Sequence, residues 1–240
     1  HKVTREYYIN DAGSQIDILG KTLFKRYLEL HGEKVELNSN EYPGEYLIEI
    51  AKLIKKKDGD KWLNHDSIDR EDYFKDFAVK YLIEFIKKDL MLLNIKFDKF
   101  SFEKDIVNSN IINDLFNILD KKNLLYNGIL EKPKGDDSED WEPREQLLFK
   151  SSSILDDQDR AFKKSNGEWT YFANDAAYHL DKYNREFNKL INIWGADHVG
   201  YIPRMKSVLK TIANKDDYLE IVTCQIVRLI KNNKILKMSK

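Results

Sequence analysis

The sequence is short of the features that stabilise a secreted protein or anchor one in a membrane. It has a single cysteine, Cys224, so a disulfide within the chain and any zinc site with two or more cysteine ligands are excluded. No apolar run approaches the roughly 20 residues that a membrane-spanning helix needs. Residues 1–10 are charged and strand-like, unlike a signal peptide. We therefore expect a cytoplasmic protein without a membrane partner.

The chain also lacks an excess of charge of either sign. Lys and Arg number 40 and Asp and Glu 41, so the formal net charge is −1. A global basic field for nucleic acid is therefore absent, and any RNA would bind a local patch or other parts of a larger protein. Hydrophobic residues make up 42% and charged residues 34% of the 240 positions, which permits a packed core.

Apolar spacing and turn residues divide the chain into alternating segments. Asp11 is the expected N-cap of the first helix, and the Asn232-Asn233 pair predicts a tight turn. The strands are predicted at 3–10, 147–150, 169–172, 189–194 and 219–230, the last two as buried parallel strands. The helices are predicted at 16–30, about 46–54, 72–93, 103–122, 174–185 and 199–213.

The order of these segments predicts an α/β fold with an insertion. Residues 1–30 and 146–240 have a β-α-β character, typical of a Rossmann-like nucleotide-binding sheet. Residues 31–145 are mainly helical and charged, and they end in a charged loop at 131–145. We predict two parts, an incomplete catalytic core (1–30 with 146–240) and a helical insertion (31–145).

The chain ends in Lys237-Met238-Ser239-Lys240, directly after a predicted strand and turn. Two lysines on one loop suit the phosphates of ATP, because the charge that develops on leaving pyrophosphate needs positioned cations. A solvated lysine-rich tail is the alternative explanation.

A second motif, Gly195-Ala196-Asp197-His198, stands where a predicted parallel strand ends and a helix begins. Open α/β sheets bind nucleotides at such points, and glycine allows the backbone to approach a ligand. A glycine-containing turn with Asp197 as a helix cap is the competing interpretation.

The third motif places Tyr171 four residues before Asp175, so one helical turn can bring both side chains to one pocket. A carboxylate beside an aromatic hydroxyl suits a guanidinium group, which binds planar acceptors in a bidentate manner. A capping Asp beside a core tyrosine would explain the same spacing.

Taken together, these motifs resemble the arginyl-tRNA synthetase family of class I aminoacyl-tRNA synthetases. KMSK is the second signature of that class. The resemblance also includes REYYINDAGSQI near the start, EYPGEYLIEIAK at 41–52, DWEPREQLLFKSS at 140–152, and TYFANDAAYHLDKY with INIWGADHVGY. These blocks cover nearly the whole chain in one order, which is far more specific than any single motif.

The resemblance implies ATP-dependent activation of L-arginine, with Mg²⁺ carried by ATP and no structural metal, followed by transfer to the arginine-accepting tRNA. It implies that Tyr171, Asp175 and His198 bind arginine, and that Gly195, Asp197 and Met238 lie on the ATP side. Lys237 and Lys240 match the mobile phosphate loop. A further block matches the edge of the pocket without individual roles, and it consists of Asn10, Asp11, Gly13 and Gln15.

The family's first signature, His-x-Gly-His, would precede His1, and its anticodon-binding domain would follow Lys240. Both are absent, and the ends look like cuts through a larger protein, so we expect little arginine-dependent ATP–pyrophosphate exchange from these 240 residues alone. Two alternatives stay open. One is another class I synthetase or a nucleotidyltransferase of that fold, and the other is a non-catalytic RNA-binding or regulatory module.

The lysine loop yields the first testable prediction. In the intact enzyme, Lys240→Ala should slow arginyl-adenylate formation by about 10²–10³, because a positioned donor to the leaving group is lost, and Lys237→Ala should slow it as well. Single-turnover adenylate formation measures this effect, with circular dichroism as the control for folding. Wild-type rates in both variants would mean that the tail is merely solvated.

Overall fold

The computed structural model describes residues 1–130 and 144–235. The helices are α1 (Ser14–Leu30), α2 (Tyr46–Asp58), α3 (Ser67–Leu92), α4 (Glu103–Asn108), α5 (Ile111–Lys121), α6 (Tyr171–Asn184) and α7 (Ile202–Ala213). The strands are β1 (Glu6–Ile9), β2 (Lys99–Phe102), β3 (Leu125–Gly128), β4 (Gln146–Phe149), β5 (Arg160–Lys163), β6 (Leu190–Gly195), β7 (Leu219–Cys224), β8 (Ile230–Lys231) and β9 (Lys234–Ile235). The α/β class predicted from the sequence is therefore confirmed.

The described residues form two compact units. Unit 1 contains residues 1–104 and 229–235, and unit 2 contains residues 105–130 and 144–228. No helix in these ranges is both long enough and apolar enough to cross a membrane.

Unit 1 is built on three helices that share one apolar core. α1 packs against α2 and α3, and Leu23, Tyr27 and Phe74 are fully buried between them. The ring of Phe74 meets that of Tyr27 edge to face at 5.4 Å between centroids. The buried Tyr27 hydroxyl donates to the Gly59 carbonyl oxygen at 2.6 Å, so its polar group is satisfied at the end of α2.

A parallel pair of strands and a hairpin complete unit 1. β1 pairs with β2 from Glu6 opposite Lys99 to Ile9 opposite Phe102. β8 and β9 form an antiparallel pair around Asn232 and Asn233, whose φ angles are 51° and 57°. Positive φ at both central residues suits the right-handed twist of a two-residue hairpin, so the predicted tight turn is confirmed.

The predicted cap of the first helix is wrong. Gly13, with φ of 89°, precedes α1, and no side chain caps that helix. The Asp11 carboxylate instead accepts the Lys104 backbone N–H at 2.9 Å, at the first turn of α4. A carboxylate satisfies unpaired N–H groups at any nearby helix start, so proximity in space overrides adjacency in sequence.

Unit 2 combines helices with two small sheets around one core. β3, β4 and β5 form an antiparallel sheet, and β6 pairs with β7 in parallel. The core cluster includes the fully buried Leu115 and Phe149, Ala173 and Ala176 of α6, and Val208 of α7.

Several predicted boundaries differ from the structure. The helix predicted at 72–93 begins at Ser67, because Asp66 accepts the Ile68 N–H at 2.9 Å as N-cap. The helix predicted at 103–122 is divided into α4 and α5. The strand predicted at 169–172 is wrong, since the Thr170 hydroxyl accepts the Ala173 N–H at 3.2 Å and α6 begins at Tyr171.

The two predicted parallel strands are buried on one face only. Leu190 and Asn192 are buried in β6, whereas Ile191 and Ile193 are 60% and 72% exposed. The second strand ends at Cys224 instead of residue 230. An apolar run of this kind cannot indicate from sequence whether one or both faces will be covered.

The compact units do not follow the predicted two parts. α1 lies before the boundary predicted at residues 30 and 31, and α2 and α3 lie after it, yet all three share the core of unit 1. The charged loop predicted at 131–145 falls mostly on residues outside the described ranges. The core-and-insertion division stays a prediction.

The packing of unit 1 predicts a sharp difference between two phenylalanines of α3. Phe74→Ala should cost about 3–5 kcal/mol, because it opens a cavity between α1 and α3. Phe85→Ala, at a site 45% exposed on the same helix, should cost about 1 kcal/mol or less. Hydrogen exchange of the α1 amides reports the stability of unit 1. Equal losses in both variants would contradict the described core.

Candidate functional site

Helix α6 carries two of the predicted site residues close to its beginning. Thr170 caps the helix, and Tyr171 in the first turn is 75% exposed. Asp175 lies one turn further along and is half-buried. The buried residues of the helix include three alanines, Ala173, Ala176 and Ala177, where its backbone lies close to the core. α6 therefore presents an exposed phenol and, one turn away, a partly buried carboxylate.

The Asp175 carboxyl has an unusual electrostatic environment. Burial raises its pKa above the ordinary value of 3.8, and the Tyr201 hydroxyl and the nearby Lys182 and His198 oppose that shift only in part. Those groups do not fully offset the cost of burying this carboxyl, so its pKa stays raised. A cation brought to Asp175 would restore the stabilisation that burial removes.

The predicted nucleotide turn follows β6 as a 3-10 helix, Ala196–Tyr201. A Cβ added to Gly195 would collide with the Asp197 carboxylate, so the missing side chain makes room for that carboxylate. The turn is not left-handed, because φ of Gly195 is −64°. Asp197 and His198 are largely exposed, and the His198 Nε2 lies 3.7 Å from an Asp197 carboxylate oxygen.

The structure brings α6 and this turn together within unit 2. The rings of Phe172 and Tyr201 meet edge to face at 6.3 Å between centroids. Tyr201 and His198 of the turn both stabilise the ionised form of Asp175. Asp175 and His198, predicted from separate motifs, therefore share one neighbourhood, and Tyr201 joins them.

Sequence reasoning missed a buried polar pair behind this neighbourhood. His179 and Asn192 are 3% and 7% exposed, and their side-chain nitrogens Nε2 and Nδ2 lie 2.7 Å apart. The four-residue spacing of Asp175 and His179 indicates one helical face, so this half of the pair could be predicted. Nothing in the sequence of β6 indicates that the Asn192 side chain would contact His179.

The four predicted pocket-edge residues lie in unit 1, where each has a local environment of its own. Asn10 can orient its amide nitrogen toward both the Ala12 carbonyl and the Glu103 carboxylate, at 2.9 Å each. Asp11 caps α4, and Gln15 accepts the Tyr42 hydroxyl at 2.9 Å. Gly13 supplies the left-handed φ of 89° before α1, which only glycine adopts without strain. These contacts explain the four residues structurally, and a role in a pocket stays a prediction.

Two further predictions concern the terminal lysine motif and the absence of a structural metal. Lys237, Met238 and Lys240 lie outside the described residues. Within residues 1–130 and 144–235, no group of three or more His, Cys, Asp or Glu side chains is arranged to hold a metal ion.

Comparison with known proteins relates this geometry to one family. No family model matches the chain. Curated arginine–tRNA ligases from Ruegeria pomeroyi and Magnetococcus marinus are 46% and 43% identical to it over its whole length. The chain spans 41% and 42% of those relatives.

Solved structures give a consistent result. A crystal structure from Campylobacter jejuni, provisionally assigned as an arginyl-tRNA synthetase, matches 99% of the chain with a TM-score of 0.79. The two sequences are 33% identical, and the chain covers 49% of the Campylobacter protein. An arginyl-tRNA synthetase from Plasmodium falciparum matches 92% of the chain with a TM-score of 0.56, and the chain covers 36% of that protein. Because the two sequences are only 18% identical, this match supports the fold alone. The resemblance to arginyl-tRNA synthetases inferred from the motifs is confirmed along the whole chain.

The raised pKa of Asp175 predicts a distinctive pH dependence of stability. A carboxyl whose folded pKa lies above its unfolded value contributes stability below about pH 3.8, and that contribution is lost as pH rises through the folded pKa. Relative to Asp175→Asn, the wild-type free energy of unfolding should therefore fall across that window. Urea unfolding of both proteins at a series of pH values measures the difference.

Asp156 provides a control for which the free energy of unfolding should depend on pH in the opposite direction. Burial raises its pKa, but hydrogen bonds from Arg160 and the Asp157 N–H outweigh that effect and leave the pKa lowered. Relative to Asp156→Asn, wild-type stability should therefore rise as pH rises. A pH-independent difference for Asp175→Asn would contradict the description of its environment.

Proposed function

We propose that this chain is part of an arginine–tRNA ligase, which activates L-arginine with ATP and transfers it to the arginine-accepting tRNA. One observation carries the proposal. Asp175 is a half-buried carboxylate whose pKa burial raises, and the neighbouring Tyr201, Lys182 and His198 offset that effect only in part. It lies next to the Tyr201 hydroxyl and one turn from the exposed Tyr171. A guanidinium would supply a positive charge in a planar form that a carboxylate binds in a bidentate manner.

The proposal assigns the remaining residues by the same logic. Tyr171, Asp175 and His198 bind arginine. Gly195, Asp197 and Met238 lie along ATP, and Lys237 and Lys240 hold its phosphates. A role at the edge of a pocket stays a prediction for Asn10, Asp11, Gly13 and Gln15.

The fold proposed for the complete enzyme is the Rossmann-like sheet of class I synthetases. The parallel pairing of β6 and β7, with a turn after β6, supports this assignment. Residues 1–30 and 146–240 belong to that catalytic core and residues 31–145 to a connective insertion. As an enzyme of translation it works in the cytoplasm, without a membrane partner.

The chemistry proposed is a displacement at phosphorus followed by an acyl transfer. A carboxylate oxygen of arginine attacks the α-phosphorus of ATP, which enters as its Mg²⁺ complex, and the bond to pyrophosphate breaks. A ribose hydroxyl of tRNA then attacks the arginyl carbonyl, and AMP leaves. Neither step needs a covalent bond to the protein, so the side chains contribute by positioning and by charge stabilisation.

The direct test is ATP–pyrophosphate exchange by the intact enzyme, with tRNA added. Exchange should depend on arginine and should not occur with lysine, whose ammonium lacks the planar fork that a carboxylate binds in a bidentate manner. An enzyme that exchanges with another amino acid would support a different class I synthetase. RNA binding without exchange would support a non-catalytic module.

The role of Asp175 gives a prediction about substrate use. Asp175→Asn in the intact enzyme should raise the arginine KM by about 10- to 100-fold, because a charge-assisted pair contributes roughly 1.5–3 kcal/mol. The ATP KM should change little. Steady-state exchange kinetics with each substrate varied in turn measure both constants.

Asp181→Asn is the matched control on the same helix. Asp181 pairs with Arg185 at 3.1 Å and is not among the residues proposed to bind arginine, so its replacement should leave the arginine KM near wild type. An unchanged arginine KM in Asp175→Asn would mean that this carboxylate has a structural role only.

A further inference from the structure

His179 is a buried side chain that links two elements of the proposed site. Its Nδ1 lies 2.7 Å from the Asp175 carbonyl oxygen on α6. Its Nε2 lies 2.7 Å from the side-chain nitrogen of Asn192 on β6. Asn192 in turn faces Lys182, with 3.3 Å between Oδ1 and Nζ. The imidazole therefore connects the helix that carries Asp175 to the strand that leads into the turn at Gly195.

The neighbours of the imidazole determine which of its nitrogens carries the proton. A carbonyl oxygen can only accept, so Nδ1 must carry the hydrogen that is shared with Asp175. Nε2 then carries a lone pair and accepts from the Asn192 amide. The Asn192 oxygen is left to accept from the Lys182 ammonium. Reversing that amide would point its N–H₂ group at an ammonium, so the arrangement has one consistent orientation.

This hydrogen-bonded link fixes the position of α6 along its axis, which its apolar contacts alone do not. Ala173, Ala176 and Ala177 are fully buried, but apolar packing is not directional and tolerates small shifts along the helix axis. Hydrogen bonds fix both distance and angle. The link holds the backbone of Asp175 at one height relative to β6, and substrate positioning is sensitive to errors of about 1 Å.

We propose that His179, as its Nδ1–H tautomer bonded to Asn192, is a positioning residue that sets the Asp175 carboxylate at the height required to bind the guanidinium of arginine. This inference rests on the proposed function. His179 takes no part as an acid or a base, since its imidazole is buried and bonded at both nitrogens.

The tautomer is tested on the 240-residue chain itself. Nitrogen-15 spectra of the imidazole side chains should show a protonated Nδ1 and an unprotonated Nε2 for His179, assigned by the signal that is lost in His179→Gln. A proton on Nε2 instead would overturn the proposed link, whatever the activity of the enzyme.

The positioning role is tested with two variants of the intact enzyme. The amide of His179→Asn reaches the position of Nδ1, so this variant keeps the bond to Asp175 and loses the link to β6. The amide of His179→Gln reaches the position of Nε2, so this variant keeps the link. The arginine KM should rise about 3- to 10-fold in His179→Asn and stay within about 2-fold of wild type in His179→Gln, with the ATP KM unchanged in both.

Asn192→Leu removes the same hydrogen bond by changing its partner on β6. This variant tests the proposal even if a histidine variant fails to fold. It should raise the arginine KM as His179→Asn does, and the double variant should raise it no further than either single change. Wild-type arginine KM in both His179→Asn and Asn192→Leu overturns the positioning role. Equal increases in the KM of arginine and ATP also overturn it, since they indicate a general loss of structure. Failure of the wild-type enzyme to form arginyl-adenylate would instead overturn the proposed function.

Discussion

The close packing of α6 is the constraint on which unit 2 depends. Three alanines of this helix, Ala173, Ala176 and Ala177, have no exposed surface and let α5 and α7 pack against the helix backbone. Larger side chains there would force these helices apart, since cores tolerate little additional volume. With its small face in the core, α6 turns Asp175 toward Tyr201 and the turn after β6. The neighbourhood of the proposed site is thus a consequence of how the core is filled.

Two carboxylates of unit 2 show what distinguishes that neighbourhood from ordinary structure. Asp156 is buried with the Arg160 guanidinium, which binds it through Nε at 2.7 Å and through a second nitrogen at 2.9 Å. That pairing lowers the Asp156 pKa, whereas burial that is opposed only in part by neighbouring groups raises the Asp175 pKa. Asp156 therefore illustrates within the same unit how a guanidinium satisfies a buried carboxylate. Arginine bound at Asp175, as proposed, would reproduce that arrangement with its own guanidinium.

The sequence predicted the elements with strong local signals and missed those that depend on contacts distant in the chain. Helix α1 and the Asn232-Asn233 turn follow from apolar spacing and from residues that accept positive φ. Asp11 was misassigned because its helix partner, Lys104, lies 93 positions away. In the candidate site, too, local spacing was predictable and contacts between distant residues were not. The Tyr171 and Asp175 spacing was visible in the motif, but Asn192 opposite His179 required the register of α6 against β6, which no local pattern encodes.

The central claim is that Asp175 binds the guanidinium of arginine. A crystal structure of the intact enzyme with bound arginine tests it most directly. The account predicts a guanidinium with two nitrogens within about 3 Å of the Asp175 carboxylate, close to Tyr171 and His198. Arginine bound elsewhere, with Asp175 still bonded only to protein groups, would contradict it.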